Sequence, residues 1–147
     1  MESNLKPRTV LLGLLAACVV STAIHYTDNT ISYDKYPQSD TVTAGVIALS
    51  WLLITPAAIL GYRLYVGGKM LPAYVSLAVF SLVGLSTPWH YTSQGFSDFA
   101  LLRNISILTD GVTGAAVLLF VLWSALIARE WERSASPRQP SAGSPAG

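Results

Sequence analysis

Four stretches of the chain carry no Asp, Glu, Lys or Arg: Thr9 to His25, Val42 to Tyr62, Leu71 to Trp89 and Gly111 to Ala128. Each is 17 to 21 residues long, and at about 1.5 Å of rise per residue a helix of that length crosses a hydrocarbon layer of roughly 30 Å. A membrane strand needs only about ten residues and alternates strictly between apolar and polar, a pattern that is absent. The pattern therefore predicts an all-α integral membrane protein with four transmembrane helices, a single domain over residues 1–133. The remainder, residues 134–147, reads SASPRQPSAGSPAG and has no large apolar side chain to offset its ordering entropy. A disordered cytoplasmic tail is expected there.

The stretch Ser97 to Thr109, SDFALLRNISILT, divides the third span from the fourth. Joined to the fourth span it would make a helix of more than thirty residues, well over the bilayer requirement. A separate interfacial helix is expected instead, capped by Ser97 or Asp98, with Phe99, Leu102, Ile105 and Leu108 on its apolar face and Arg103 toward water or an acidic loop. Pro56 should kink the second helix and Pro88 should loosen the end of the third. Small residues four apart, Gly13 and Ala17, Ala57 and Gly61, Gly111 and Ala115, are candidate points of close helix approach.

Composition agrees with the pattern. Apolar residues make up 52% of the 147 and charged residues 12%, about half the usual charged share, which excludes an ordinary soluble globule and a disordered chain. The net charge of +1 excludes a nucleic-acid partner bound through a basic face. The single Cys excludes an internal disulfide framework or a Cys-rich zinc site. Charge position says more than charge total. Lys6, Arg8, Arg63, Lys69, Arg129, Arg133 and Arg138 lie beside one end of the spans, and only Lys35 and Arg103 lie beside the other. The excess places both termini and the short middle loop in the cytoplasm, with the protein multi-pass in the cell's inner membrane. Asp28, Asp34, Asp40, Asp98 and Asp110 collect on the outer side. Tyr26, Tyr33, Tyr36, Trp89 and Tyr91 should form an outer aromatic belt, and Tyr62, Tyr65 and Trp131 an inner one.

The start of the chain admits a competing reading. A basic beginning and an apolar run ending Leu15-Ala16-Ala17-Cys18 resembles a bacterial lipoprotein signal, which implies lipidation of Cys18. Against it, the apolar run continues through Ile24, so Cys18 reads as a small buried hydrophobe of the first helix.

An internal repeat is the strongest pattern of all. Ser21-Thr22-Ala23-Ile24-His25-Tyr26-Thr27 closes the first span and Ser86-Thr87-Pro88-Trp89-His90-Tyr91-Thr92 closes the third, identical at five of seven positions. Each copy is followed by a loop and an Asp at the head of the next span, Asp40 and Asp110. A unit of two helices returns the chain to its starting side, so two duplicated hairpins related by a pseudo-twofold axis along the membrane normal are expected. His25 and His90 would then sit at equal depth near the outer face.

That repeat defines the candidate site: His25, His90, Asp28, Asp40, Asp110, Thr22, Thr87, Tyr26 and Tyr91, with Ser21 and Ser86 beside them. Ionisable groups at membrane depth are costly and invite a functional reading. Asp40 and Asp110 read first as N-caps, each with a Thr three residues on, a role that can coexist with facing the histidines, and the histidines could simply bond a neighbouring Asp, Thr or carbonyl. Three functional readings stand beside these. A metal ion could use His25 and His90 with an Asp, a haem could lie between the two imidazoles with Arg103 or Lys35 at its propionates, or a proton-coupled or quinone site could use imidazole titration. The leading expectation is a binding module for a metal, haem or small polar ligand. A membrane enzyme with a lipidic or quinone-like substrate and His as general acid/base, or a structural subunit of a homo-oligomer or larger membrane complex, are the alternatives. No HExxH, CxxC, GxSxG or paired intramembrane Glu occurs, which removes the enzyme classes those motifs mark.

Overall fold

A computed structural model describes residues 5–135. Helix α1 covers Leu5–Ile31, α2 Ala44–Val66, α3 Met70–Ser86, α4 Leu101–Leu122 and α5 Glu130–Ala135. Short 3-10 turns occupy Tyr33–Lys35, Thr87–Thr92 and Phe96–Asp98, and a π-helical turn, Trp123–Ile127, extends α4. The described residues contain no strand. Four helical stretches, Lys6–Ile31, Ala44–Val66, Met70–Thr92 and Leu101–Ile127, are long and apolar enough to cross a membrane. Of the expected tail, Ser134 and Ala135 end α5, and the rest lies outside the described residues.

The four long helices form a ring in chain order, α1 against α2 and α4, α3 against α2 and α4. Three residues suffice to reverse the chain between α2 and α3. The amides of Gly67 and Lys69 bond the carbonyls of Arg63 and Leu64, and Gly68 takes φ +76°, the left-handed conformation that only a glycine adopts without strain. Helix α2 starts where the Thr43 hydroxyl accepts the Val46 amide at 3.3 Å, so Thr43, not Asp40, is its N-cap. It runs through Pro56 without ending.

Three boundaries differ from expectation. Helix α1 continues past His25 to Ile31 because a helix needs backbone bonding rather than apolar side chains; Thr30 even returns its hydroxyl to the Tyr26 carbonyl at 2.7 Å. The separate interfacial helix is not present. Ser97 and Asp98 lie in a 3-10 turn, and α4 then runs continuously from Leu101 through the fourth uncharged stretch, with Leu102 outward at 80% exposure. Pro88 tightens the end of α3 into a 3-10 turn rather than loosening it, since its missing amide falls where a helical start has no intrahelical partner anyway.

The bundle interior changes character along its length. On α1 the buried positions Leu11, Leu15, Cys18, Thr22, His25 and Asn29 follow helical spacing, and the stripe turns from apolar to polar at its middle. Helix α4 mirrors it, with Asn104, Ile107, Asp110, Gly114, Val117 and Val121 buried. One half is therefore a packed apolar core of Leu11, Leu15, Leu77, Phe80, Val117 and Phe120. The other half holds polar groups, and the two histidines with them.

The two halves also end differently. At the apolar end Arg129 takes φ +47°, turning the chain so that the Glu130 carboxylate accepts hydrogen bonds from the hydroxyls of Tyr65 and Ser124. Tyr74 is 2.9 Å from the same Ser124 hydroxyl. Tyr65 is 3% exposed, so it is part of this latch and not of an aromatic belt. Glu130→Ala leaves two hydroxyls without their acceptor and should cost about 2 kcal/mol, whereas Tyr65→Phe, which removes one donor, should cost about 1 kcal/mol. Equilibrium unfolding in detergent micelles measures both, and equal stability of Glu130→Ala and the parent would show that the latch is not formed.

Candidate functional site

His25 lies in the polar half of the buried stripe of α1 and is 1% exposed. His90 reaches it from the 3-10 turn after α3, with ring centroids 5.5 Å apart and planes inclined at 45°. Chain topology explains the meeting, because both copies of the repeated segment close an odd-numbered helix and so finish at the same end of the ring. The matched threonines also behave alike. The Thr22 hydroxyl donates to the Val19 carbonyl at 3.1 Å and accepts from Trp51 Nε1 on α2 at 3.1 Å. That of Thr87 is bonded to the carbonyls of Gly84 at 2.8 Å and Ile107 on α4 at 3.0 Å.

A chain of amides orients His90. Gln38 Nε2 donates to Asn29 Oδ1 at 2.7 Å, which turns the Asn29 amide nitrogen toward His90 Nε2 at 3.4 Å. His90 Nε2 is then the acceptor, and the proton of the neutral ring resides on Nδ1. His25 differs. Its Nδ1 is buried with no hydrogen-bond partner.

Asp28, one helical turn beyond His25, serves neither ring directly. Its carboxylate accepts Tyr36 Oη at 2.6 Å, Arg103 Nε at 3.1 Å and Ser32 Oγ at 3.2 Å. The guanidinium also lies over the Tyr36 ring, 5.0 Å from its centroid, an arrangement that favours the cation electrostatically. Tyr36, only 5% exposed, stands edge-on to His25 at 5.8 Å and 5.0 Å from His90. Instead of joining an interfacial belt, it walls the histidine pair. Burial, and then the Asp28 carboxylate it bonds, push the Tyr36 hydroxyl well above the ordinary tyrosine range.

Beside the pair opens a cleft of about 440 Å³. Its wall includes His25, His90, Tyr26, Asn29, Gln38 and Thr87, with Val42, Val46, Ile47 and Trp89 as apolar surface, and among the described residues no Asp, Glu, Lys or Arg lines it. A second, apolar cleft of about 280 Å³ between α1 and α2, walled by Ala23, Trp51 and Leu52, shares Tyr26 with the first.

The other expected site residues are placed elsewhere. Asp40 is exposed in the turn before α2. Asp110 is not a helix cap: α4 begins at Leu101, and the side chain is fully buried between helices. Tyr91 donates to Asn104 Oδ1 at 2.9 Å and packs on Phe96 and Phe99. Among the described residues no three His, Cys, Asp or Glu side chains converge as a metal-ligand set. Asn29, Gln38 and Tyr36 were not anticipated. Asn29 carries a legible signal, since it lies four residues after His25 and shares its helix face; Gln38 and Tyr36 lie in a loop whose path no periodicity reveals.

Comparison of the chain with protein-family models, with curated proteins and with solved structures finds no match.

Proposed function

We propose that this chain is a four-span protein of the inner membrane that binds a small, neutral, polar ligand at the extracytoplasmic mouth of its bundle, through His25 and His90. The membrane reading is supported by large apolar side chains turned outward on every long helix, among them Leu53 at 71%, Leu71 at 75%, Leu101 at 72% and Ile127 at 75% exposure. In water such a surface would aggregate; in lipid it is the expected exterior. Seven of the nine cations on one side support cytoplasmic termini. Thr22 and Thr87 each bond the carbonyl three residues back, and the two histidines meet at one end of the ring; both support two duplicated hairpins about an axis along the membrane normal.

One observation carries the ligand reading: two imidazoles 5.5 Å apart share a cleft without a single charged lining residue. Such a wall offers hydrogen-bond donors and acceptors to an uncharged molecule and nothing to neutralise an ion. A metal or haem iron is less well served. Asn29 already engages His90 Nε2, Asp28 is spent on Tyr36 and Arg103, and Asp40 is exposed in the turn before α2 and does not line the cleft. A second reading, an enzyme acting on a quinone-like substrate with His25 or His90 as general acid/base, is favoured by the apolar cleft adjoining Tyr26, through which a lipid-soluble substrate could approach.

The test is thermal unfolding of purified protein against a panel of small neutral alcohols, amides and quinones, with metal analysis and a visible spectrum of the same preparation. At a hundredfold excess over Kd a true ligand stabilises by about 2.7 kcal/mol, and His25→Ala and His90→Ala should each abolish the gain. Stoichiometric metal or a haem spectrum lost in both variants would replace the neutral-ligand reading. Consumption of a stabilising quinone, lost in the same variants, would select the enzyme. Full tolerance of both substitutions with stable co-purification of a partner would favour a structural subunit.

A further inference from the structure

Asp110 is buried at 0% exposure inside α4, and both carboxyl oxygens lack a hydrogen-bond partner. The groups facing it can be named element by element. From α1, Cys18 and Tyr26 lie within electrostatic reach. Helix α3 meets it with the backbone around Gly84, packed against the Asp110 carbonyl. On α4 itself Thr113 bonds the Asp110 backbone oxygen. Every ion pair among the described residues uses another acid, Asp28, Asp34 or Glu132.

An ionised carboxylate in that setting would have neither water, nor a donor, nor a counter-charge, at a cost far above the margin by which proteins are stable. A metal ion does not resolve it, because hard cations require several oxygen ligands and space, and both oxygens are sealed from water. A proton needs neither.

We propose that Asp110 is a proton-binding site inside the bundle, occupied at neutral pH. It follows Thr109, whose Oγ1 lies 3.3 Å from Ser21 Oγ and joins α4 to α1. When the site empties in alkaline solution, the carboxyl O–H bond breaks and its proton passes to hydroxide, forming water; only O–H bonds change. The site goes beyond the ligand reading and does not depend on it, since the carboxyl is sealed whether or not the cleft binds anything.

Infrared spectroscopy of purified protein carrying carbon-13 in its Asp side chains tests this without a ligand. The carboxylic acid C=O band, absent from carboxylates, is expected at neutral pH, lost in Asp110→Asn, and lost on alkaline titration with release of one proton per chain. Should Asp110→Asn fail to fold, the parent alone decides, because Asp34, Asp40 and Asp98 are exposed and Asp28 is ion-paired. No acid band at neutral pH, or one that survives Asp110→Asn, overturns the site.

Discussion

Gly84→Ala and Gly114→Ala are each expected to destabilise the bundle by about 3 kcal/mol, the upper end of what overpacking a core typically costs. A Cβ on Gly84 would stand 2.6 Å from the Asp110 carbonyl oxygen and 3.2 Å from Gly114 Cα, and one on Gly114 would stand 2.8 Å from the Ser81 carbonyl and 2.9 Å from the Leu85 amide nitrogen. These obstacles are backbone atoms, which have no rotamer to change, so α3 and α4 must separate along the contact. For helices that lie in lipid, as proposed for these, that separation is serious, because lipid is as apolar as the side chains and close packing supplies much of the association. Gly13→Ala is the control. Nothing lies within 4 Å of a Cβ there, so the higher helix propensity of Ala should leave stability equal or raised by up to about 1 kcal/mol. Equilibrium unfolding in micelles compares the three, and parental stability of Gly84→Ala would mean that the two backbones do not meet.

The contrast between Gly13 and Gly84 shows what the sequence makes legible. Small residues four apart identify faces that could approach, but not which face is turned inward. Gly13 and Ala17 point outward, while the tightest approach sets Gly84 of α3 against the Asp110 carbonyl and Gly114 of α4, a relation no single-helix spacing contains. Long uncharged runs revealed four apolar helices correctly and misjudged their ends. Helix α1 gains Tyr26 to Ile31, and α4 gains Leu101 to Asp110, because Asn29, Asn104 and Asp110 are buried inside the ring. A charge inside a span is expected to break it only if that charge must face lipid. The repeated histidines were legible as a pair because the repeat equates their depth. Tyr36, Gln38 and the pairing of Asp28 with Arg103 were not, since they depend on how a twelve-residue connection, residues 32–43, folds back over the end of the bundle.

Asp28→Ala should cost about 2 kcal/mol and disable the histidine cleft without touching any residue that lines it. Its carboxylate is the shared acceptor for Tyr36, Arg103 and Ser32, so its removal strands a buried tyrosine hydroxyl and a guanidinium together. A fully buried pair broken in this way costs about 3–5 kcal/mol, and an exposed one at most about 1 kcal/mol. The side chains of Arg103 and Asp28 are 15% and 33% exposed, which places the expectation between the two. Asp28→Asn keeps an acceptor for Tyr36 and should cost less, and a double-mutant cycle with Arg103→Ala should return about 1 kcal/mol of coupling. Additive effects in that cycle would mean that the pair does not form. Tyr36 adds a pH signature. Its hydroxyl ionises less readily in the folded chain than in the unfolded one, so the stability it supplies is complete below the unfolded value of about 10 and declines as pH rises beyond it. Tyr36→Phe should therefore be less stable than the parent at neutral pH and lose less of its stability between neutral and strongly alkaline solution. An identical alkaline loss in parent and variant would separate Tyr36 from Asp28. The consequence for the cleft is direct: Tyr36 is the wall against which both imidazoles rest, and Asp28 is what holds that wall in place.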